Sequence, residues 1–187
     1  MEIAFFIIAF LAGFLVKVVD WMDDEKKTLV VIKLPLAIAY GVLIGLLISQ
    51  AIFGLLFLGA LLAQILARKI DTLSHRVGFF IAILTIVYFG FPNIEIIPLL
   101  YFMILAFLDE EDYIGKWRPL FEYRPFLKVG AFLLFFLGRY DYFLGIIMFD
   151  IGYELFSLVS KGIKAKKEKT KYGRVGVRSK VSIQRKR

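Results

Sequence analysis

The chain has 187 residues, of which 60% are hydrophobic and 21% are charged, and its formal net charge is +8. Such a composition excludes an ordinary soluble globular protein, because a domain of this length could not bury that much apolar surface. The absence of cysteine excludes disulfides and thiolate metal sites. A single histidine, His75, excludes a zinc site with several histidine ligands. The scarcity of Asn and Gln resembles the residue usage of thermophilic proteins.

The first predicted elements are long runs without charge. Residues 3–19 are apolar, with no positive n-region and no cleavage site, which indicates an uncleaved transmembrane helix and not a signal peptide. Residues 34–67 contain no charged side chain over 34 positions. As one helix this run would measure about 51 Å, too long for a hydrocarbon core of about 30 Å. We therefore expect two short helices that meet near Ser49 and Gln50.

Two further helix pairs are predicted after these. Residues 77–108 divide at the turn sequence GFPNIE, and residues 119–137 and 142–160 form the last pair. The count is seven helices, most of them near the lower length limit for spanning. The predicted fold is an all-α, polytopic integral membrane bundle, a multi-pass protein of the cell membrane. Either uncharged hairpin could instead be re-entrant.

The basic residues sort to one side of this predicted bundle. The loops at 17–33, 68–76 and 109–128 and the tail hold 23 of the 24 Lys and Arg residues, and Arg139 alone falls on the other side. Basic loops are usually cytoplasmic, so this pattern predicts an external N-terminus and a cytoplasmic C-terminus. It also predicts two parts, a transmembrane domain over residues 1–160 and a basic cytoplasmic tail over residues 161–187.

The tail carries a net charge of +11, with 12 of the 24 basic residues and one acid. It begins as a helical continuation and then alternates apolar and polar residues in RVGVRSKVSIQR, a pattern that leaves a small β-ribbon or disorder open. The predicted partners are membrane lipids, with anionic headgroups at the tail. Nucleic acid is not favoured, because the tail has no interleaved aromatic residue other than Tyr172. A homo-oligomer stays open.

Three predicted helices end in an aspartate on the same side of the bundle, at Asp20, Asp71 and Asp109. An acid at a helix C-terminus is unfavourable unless something compensates for it, so a repeat suggests a bound cation, a basic partner or a proton path. Carboxylate oxygens suit hard ions, and we predict that these three residues hold Mg²⁺ or Mn²⁺. The alternative is solvated loop acids balanced by nearby Lys and Arg, which we favour for the neighbouring acids, such as Asp23 and Glu110.

Candidate groups for proton transfer and phosphate binding lie beside these acids. Asp71 and His75 are four positions apart and share one face if the segment is helical, so we predict that both are catalytic. The substrate-binding candidates are Arg76, Arg118 and Arg124, since guanidinium groups bind phosphate bidentately. The same segment could equally be a helix cap, and the arginines could be interfacial anchors.

Asp150 and Glu154 form an acidic pair within the last apolar segment. An ionisable group at mid-depth costs about 2.5–3.5 kcal/mol on insertion scales, so Asp150 should face the interior with a partner such as Arg139, Lys17 or a proton. The alternative is a structural hydrogen bond between helices.

These observations predict a divalent-metal-dependent membrane enzyme that acts on a lipid-linked phosphate or diphosphate at the cytoplasmic interface. No established catalytic signature is present in the sequence. Two alternatives remain: a small cation or proton transporter or channel that uses Asp150 and Glu154, and a membrane scaffold with a lipid-binding basic tail.

Overall fold

Uncharged runs broken by turn residues form helices along the chain. The computed structural model describes residues 2–24, 30–110 and 125–184, and the described residues contain seven helices. These are α1 Glu2–Asp24, α2 Val30–Gln50, α3 Gly54–Leu66, α4 Leu73–Phe89, α5 Ile96–Glu110, α6 Pro125–Phe135 and α7 Tyr140–Gln184. The all-α class and the count of seven helices are confirmed for this part of the chain.

Both predicted interruptions of the uncharged runs are present. The first run breaks after Gln50, where α2 ends, and α3 begins at Gly54. The second breaks at Gly90, whose φ of +95° lies in a region that side chains with a Cβ rarely adopt. Pro92 follows two positions later and disfavours helical backbone at the residue before it. Local turn chemistry therefore determines where these helices end.

The helices pack in pairs at points where glycine lets two backbones approach. The α1 helix packs mainly on α7, α2 on α4, and α3 on α5. A Cβ at Gly13 of α1 would collide with the Phe149 carbonyl of α7, and a Cβ at Gly45 of α2 would lie 2.5 Å from the Thr85 Cβ of α4. Gly41 likewise meets the backbone of Gly78. The spacing of Gly41 and Gly45 thus marks a close helix contact, as small residues four apart commonly do.

Three helical segments are long and apolar enough to cross a membrane: Ile3–Asp24, Val31–Gln50 and Tyr140–Gly162. The α3 helix has 13 residues. At a rise of about 1.5 Å per residue it measures about 20 Å, less than a hydrocarbon core of about 30 Å. Large apolar side chains are exposed on many helices, among them Ile97 and Tyr88, which are each 83% exposed. Seven full crossings and the orientation of the termini stay predictions.

The last helix corrects the expectation for the tail. The α7 helix continues without interruption from Tyr140 to Gln184, so the segment predicted as a β-ribbon or disorder is helical up to that residue. Extending an existing helix fixes one residue for each added hydrogen bond, whereas a ribbon would need a new nucleus and a partner strand. The helix passes through the predicted boundary between residues 160 and 161.

Candidate functional site

Asp20 of α1 meets His75 of α4. The His75 Nε2 atom lies 2.9 Å from Asp20 Oδ1, a contact between residues 55 positions apart in the chain. Asp20 is in the last turns of α1, and His75 is in the first turn of α4, where the Thr72 side chain accepts a hydrogen bond from the His75 backbone N–H at 3.2 Å. The segment thus contains a helix cap, which was one alternative for it, and Thr72 is the capping residue. The cap and the histidine pairing coexist.

A second pair of side chains from α7 and α1 completes the surroundings of Asp20. The Tyr153 hydroxyl donates to Asp20 Oδ2 at 3.2 Å and accepts from Lys17 Nζ at 2.9 Å. The Lys17 ammonium also lies 4.5 Å from the centre of the Tyr153 ring. Both oxygens of Asp20 therefore accept hydrogen bonds, and a continuous series of polar contacts joins Lys17, Tyr153, Asp20 and His75.

Asp23 lies one helical turn after Asp20. Through hydrogen bonds it joins the start of α4 to α1 and α2. Its carboxylate accepts from Lys33 Nζ at 2.9 Å, from Thr72 Oγ1 at 2.9 Å and from Ser74 Oγ at 3.2 Å. The sequence analysis took Asp23 for a solvated loop acid. The spacing of three from Asp20 was the available signal, since residues three apart share a helix face.

His75 is surrounded by acids. The Asp20 hydrogen bond raises the pKa of the His75 imidazole, an effect that outweighs the opposing effect of burial, and the charges of Asp20, Asp23 and Asp71 add to it. The second ring nitrogen, Nδ1, lies 3.9 Å from Asp71 Oδ1, and the Asp71 side chain is 75% exposed. The predicted pairing of Asp71 and His75 is thus looser than that of Asp20 and His75.

The pair of Asp20 and His75 lines a cavity of about 290 Å³. Most of the wall is apolar and comes from α1, α2, α3, α4, α6 and α7, with Ile44, Phe57 and Phe149 among the lining residues. Gln64, Lys69 and Glu110 line it as well, close to where α3 and α5 end. Glu110 is a second acid that the sequence analysis assigned to a solvated loop.

Asp109 is held differently. Its two carboxylate oxygens accept hydrogen bonds from the backbone N–H groups of Phe126 at 2.9 Å and Leu127 at 2.7 Å, in the first turn of α6. The side chain therefore satisfies donors that a helix start leaves without partners. The structure brings Asp20 and Asp71 to His75 and places Asp109 at the start of α6.

Within residues 2–24, 30–110 and 125–184, no group of three or more His, Asp and Glu side chains is arranged to hold a metal ion. The predicted Mg²⁺ or Mn²⁺ site stays a prediction. Among the predicted phosphate ligands, Arg76 is exposed, and Arg118 and Arg124 lie outside the described residues.

Asp150 lies opposite a lysine that the sequence analysis did not name. Lys128 Nζ of α6 is 2.6 Å from Asp150 Oδ2 of α7, and both side chains are largely buried. The partner suggested from the sequence, Arg139, donates instead to both oxygens of Asp141. Glu154 is half-buried.

No family model matches the chain, and neither the curated proteins nor the solved structures include a significant match to it.

Proposed function

We propose that the chain is a multi-pass integral membrane protein with an external N-terminus and a cytoplasmic C-terminus. The three helical segments long and apolar enough to span support this, as does the segregation of 23 of the 24 basic residues. Reporter domains fused after Gln50, Asn93 and Arg139 should read as external. Cytoplasmic readings at two of these positions would contradict the topology.

For the activity, we propose an enzyme that acts on a lipid-borne phosphate or diphosphate, with His75 as the proton carrier. The observation that carries the proposal is the pair of Asp20 and His75 in the wall of an otherwise largely apolar cavity. Such pockets with a few convergent polar groups are the usual sites of small-molecule chemistry.

Each side chain has a distinct role in this proposal. Asp20 binds His75 Nε2 and so orients the ring and stabilises its protonated form. Nδ1, whose nearest acid, Asp71, is 3.9 Å away, is the nitrogen that exchanges a proton with the substrate or with Asp71. Tyr153 donates to the other Asp20 oxygen, and Lys17 donates to the Tyr153 hydroxyl. Lys69 in the cavity wall supplies positive charge for a phosphate.

The metal part of the proposal is separable. Both Asp20 oxygens already accept hydrogen bonds, and both Asp109 oxygens bind backbone N–H groups of α6. A Mg²⁺ or Mn²⁺ ion would therefore compete with existing contacts at these residues. Assays with added Mg²⁺, added Mn²⁺ and a chelator test this part alone, since proton transfer by His75 does not require the ion.

The test uses the full chain in lipid nanodiscs. Single-chain lipid phosphates and diphosphates are supplied, and release of inorganic phosphate is measured. His75→Gln should lower turnover by about 10²–10⁴-fold, the usual contribution of a positioned acid or base. Asp24→Asn is the matched control, because Asp24 is an exposed acid at the same end of α1. Turnover that survives His75→Gln would contradict the proposal.

A second proposal, transport of a cation or proton, rests on the ion pair of Lys128 and Asp150 between α6 and α7. Asp150→Asn keeps hydrogen bonding but removes the charge. Under this proposal the variant folds and loses proton or cation flux in liposomes. Unchanged flux would assign the pair a structural role.

A further inference from the structure

We infer that the cavity beside His75 binds one hydrocarbon chain, acyl or isoprenoid, of a phosphate-bearing amphiphile. This inference rests on the proposed function and specifies the form of its substrate. A single-chain lipid phosphate would place its phosphate against His75 and Lys69, with its chain among the apolar residues.

The lining is polar at one end and apolar along the rest. Asp20 and Gln64 lie in the last turns of α1 and α3, and His75 lies in the first turn of α4, so three helix ends bring polar groups to the same place. Away from these ends the wall is formed by Leu56 and Phe57 of α3. Leu56 and Gln64 are eight positions apart on α3, which corresponds to about 12 Å along the helix axis. A ligand that fits this gradient has a charged head and an apolar body.

The volume of the cavity limits how many hydrocarbon chains it can hold. About 290 Å³ is just below the range of about 300–1,000 Å³ typical of sites for drug-sized ligands. All seven described helices contribute to the wall, so widening the cavity for a second chain would require several of them to move. The site therefore favours a lipid with one chain over a two-chain phospholipid.

Two side chains at the polar end, Lys69 and the protonated His75, can donate charged hydrogen bonds to a phosphate. Lys69 and the protonated form of His75 contribute two positive charges, and Asp20 and Glu110 contribute two negative ones. Asp20 binds His75 and Tyr153, so the charges at this end balance one another, and hydrogen bonds rather than a net positive charge hold the phosphate. Free inorganic phosphate would use only this end and would leave the apolar wall without a partner. Both ends are used only when the phosphate is attached to a chain.

The experiment is photo-crosslinking with a diazirine-bearing alkyl phosphate in nanodiscs, followed by mass spectrometric mapping of the adducts. Adducts should fall on cavity residues such as Phe57, Leu61 and Phe79. Unlabelled alkyl phosphate should compete with the probe, whereas inorganic phosphate and the matching alkyl alcohol should compete at least tenfold less well. Each methylene that the cavity accommodates should strengthen competition up to about fourfold, until the cavity is filled.

Variants of α3 provide the structural control. Ala60→Phe fills the cavity and should reduce labelling at least tenfold, and Ala60→Leu should reduce it less. Leu66→Phe adds an aromatic ring at an exposed position on the same helix and should leave labelling unchanged. Circular dichroism of each variant establishes that it is folded.

Two results would overturn the inference. One is labelling confined to exposed faces, at Ile83 and Leu84 of α4 for example, and unaffected in folded Ala60→Leu. The other is competition by the alkyl alcohol that equals competition by the alkyl phosphate, because the phosphate group would then contribute nothing to binding. If labelling fails while phosphate is still released from a soluble ester, only the inference is lost. If cavity labelling occurs and wild-type protein releases no phosphate, the proposed enzyme is lost and the binding site stands.

Discussion

Asp20 and Asp109 occupy the same position in sequence terms, because each ends an apolar run at the C-terminal end of a helix. Their surroundings differ. Asp20 faces His75, a side chain that can gain or lose a proton, and it does so in the wall of a cavity. Asp109 faces two backbone N–H groups of α6, which cannot titrate. One acid is therefore paired with a titratable side chain and the other fixes a helix start.

The comparison teaches that helix-end acids in this chain are compensated by the beginnings of other helices. Asp23 follows the same rule, because it binds Thr72 and Ser74 at the start of α4. An acid is unfavourable at the C-terminus of its own helix, but it is favourable beside the N-terminus of another helix. The role of each acid depends on the group that lies opposite it and not on its position in the sequence.

The largest effect on stability is expected for Asp109→Ala. The variant leaves two backbone donors of α6 without their acceptor, and we expect a loss of about 2–4 kcal/mol in unfolding free energy. Unfolding in mild detergent measures it. Asp109→Asn retains one acceptor oxygen, so its unfolding free energy should lie between those of the wild type and Asp109→Ala. A loss no larger than that of Asp71→Ala would contradict the assigned role.

Asp23→Ala should rank next, with a loss of about 1–3 kcal/mol, because three side-chain donors lose a largely buried acceptor. The neighbouring exposed acid supplies the control, and Asp24→Ala should change stability by less than about 0.5 kcal/mol. Equal effects of the two variants would mean that Asp23 does not hold the start of α4.

Asp20→Asn should change the pH dependence of the unfolding free energy more than it changes the unfolding free energy itself. Because His75 has a raised pKa in the folded state, its contribution is fully present below its ordinary pKa of 6.5 and is lost as pH rises through the raised value. Unfolding free energy of the wild type should therefore fall as pH rises through that window. The variant should show a flatter profile, since its amide cannot stabilise the imidazolium.

NMR titration of the imidazole checks this directly, and His75 gives one signal because the chain has one histidine. The pKa should lie above 6.5 in the wild type and drop in Asp20→Asn. An unchanged pKa in the variant would remove Asp20 as the cause of the shift.

The smallest effect is expected for Asp71→Asn. Its carboxylate is 3.9 Å from His75 Nδ1 and is 75% exposed, so solvent screens the pair. We expect a change in stability of less than about 0.5 kcal/mol and a small decrease in the His75 pKa. A decrease as large as that of Asp20→Asn would reverse the ranking of the two acids.

The helix breaks were predictable from the sequence because they depend on local chemistry, at Gly90 and Pro92 for example. His75 could also be identified as a candidate from the sequence, since it is the sole histidine and lies near acids. Its main partner could not be identified, because Asp20 is 55 positions away and lies near His75 only once α1 and α4 have both packed on α2. Tyr153 was missed as a partner of Asp20 for the same reason. The β-ribbon or disorder left open for the end of the tail is not what the structure shows, because the helix that begins at Tyr140 continues to Gln184.

The pairing of α1 with α7 has a consequence for the order of assembly. Lys17 and Tyr153 are 136 positions apart, so during synthesis α1 emerges long before the helix that covers Gly13. Until then Gly13 lacks the α7 backbone that packs against it in the folded protein. The hydrogen bond from Tyr153 to Asp20 can form only after α7 has been made. The polar contacts around Asp20 are therefore among the last parts of the molecule to be completed, and a half-synthesised chain lacks them.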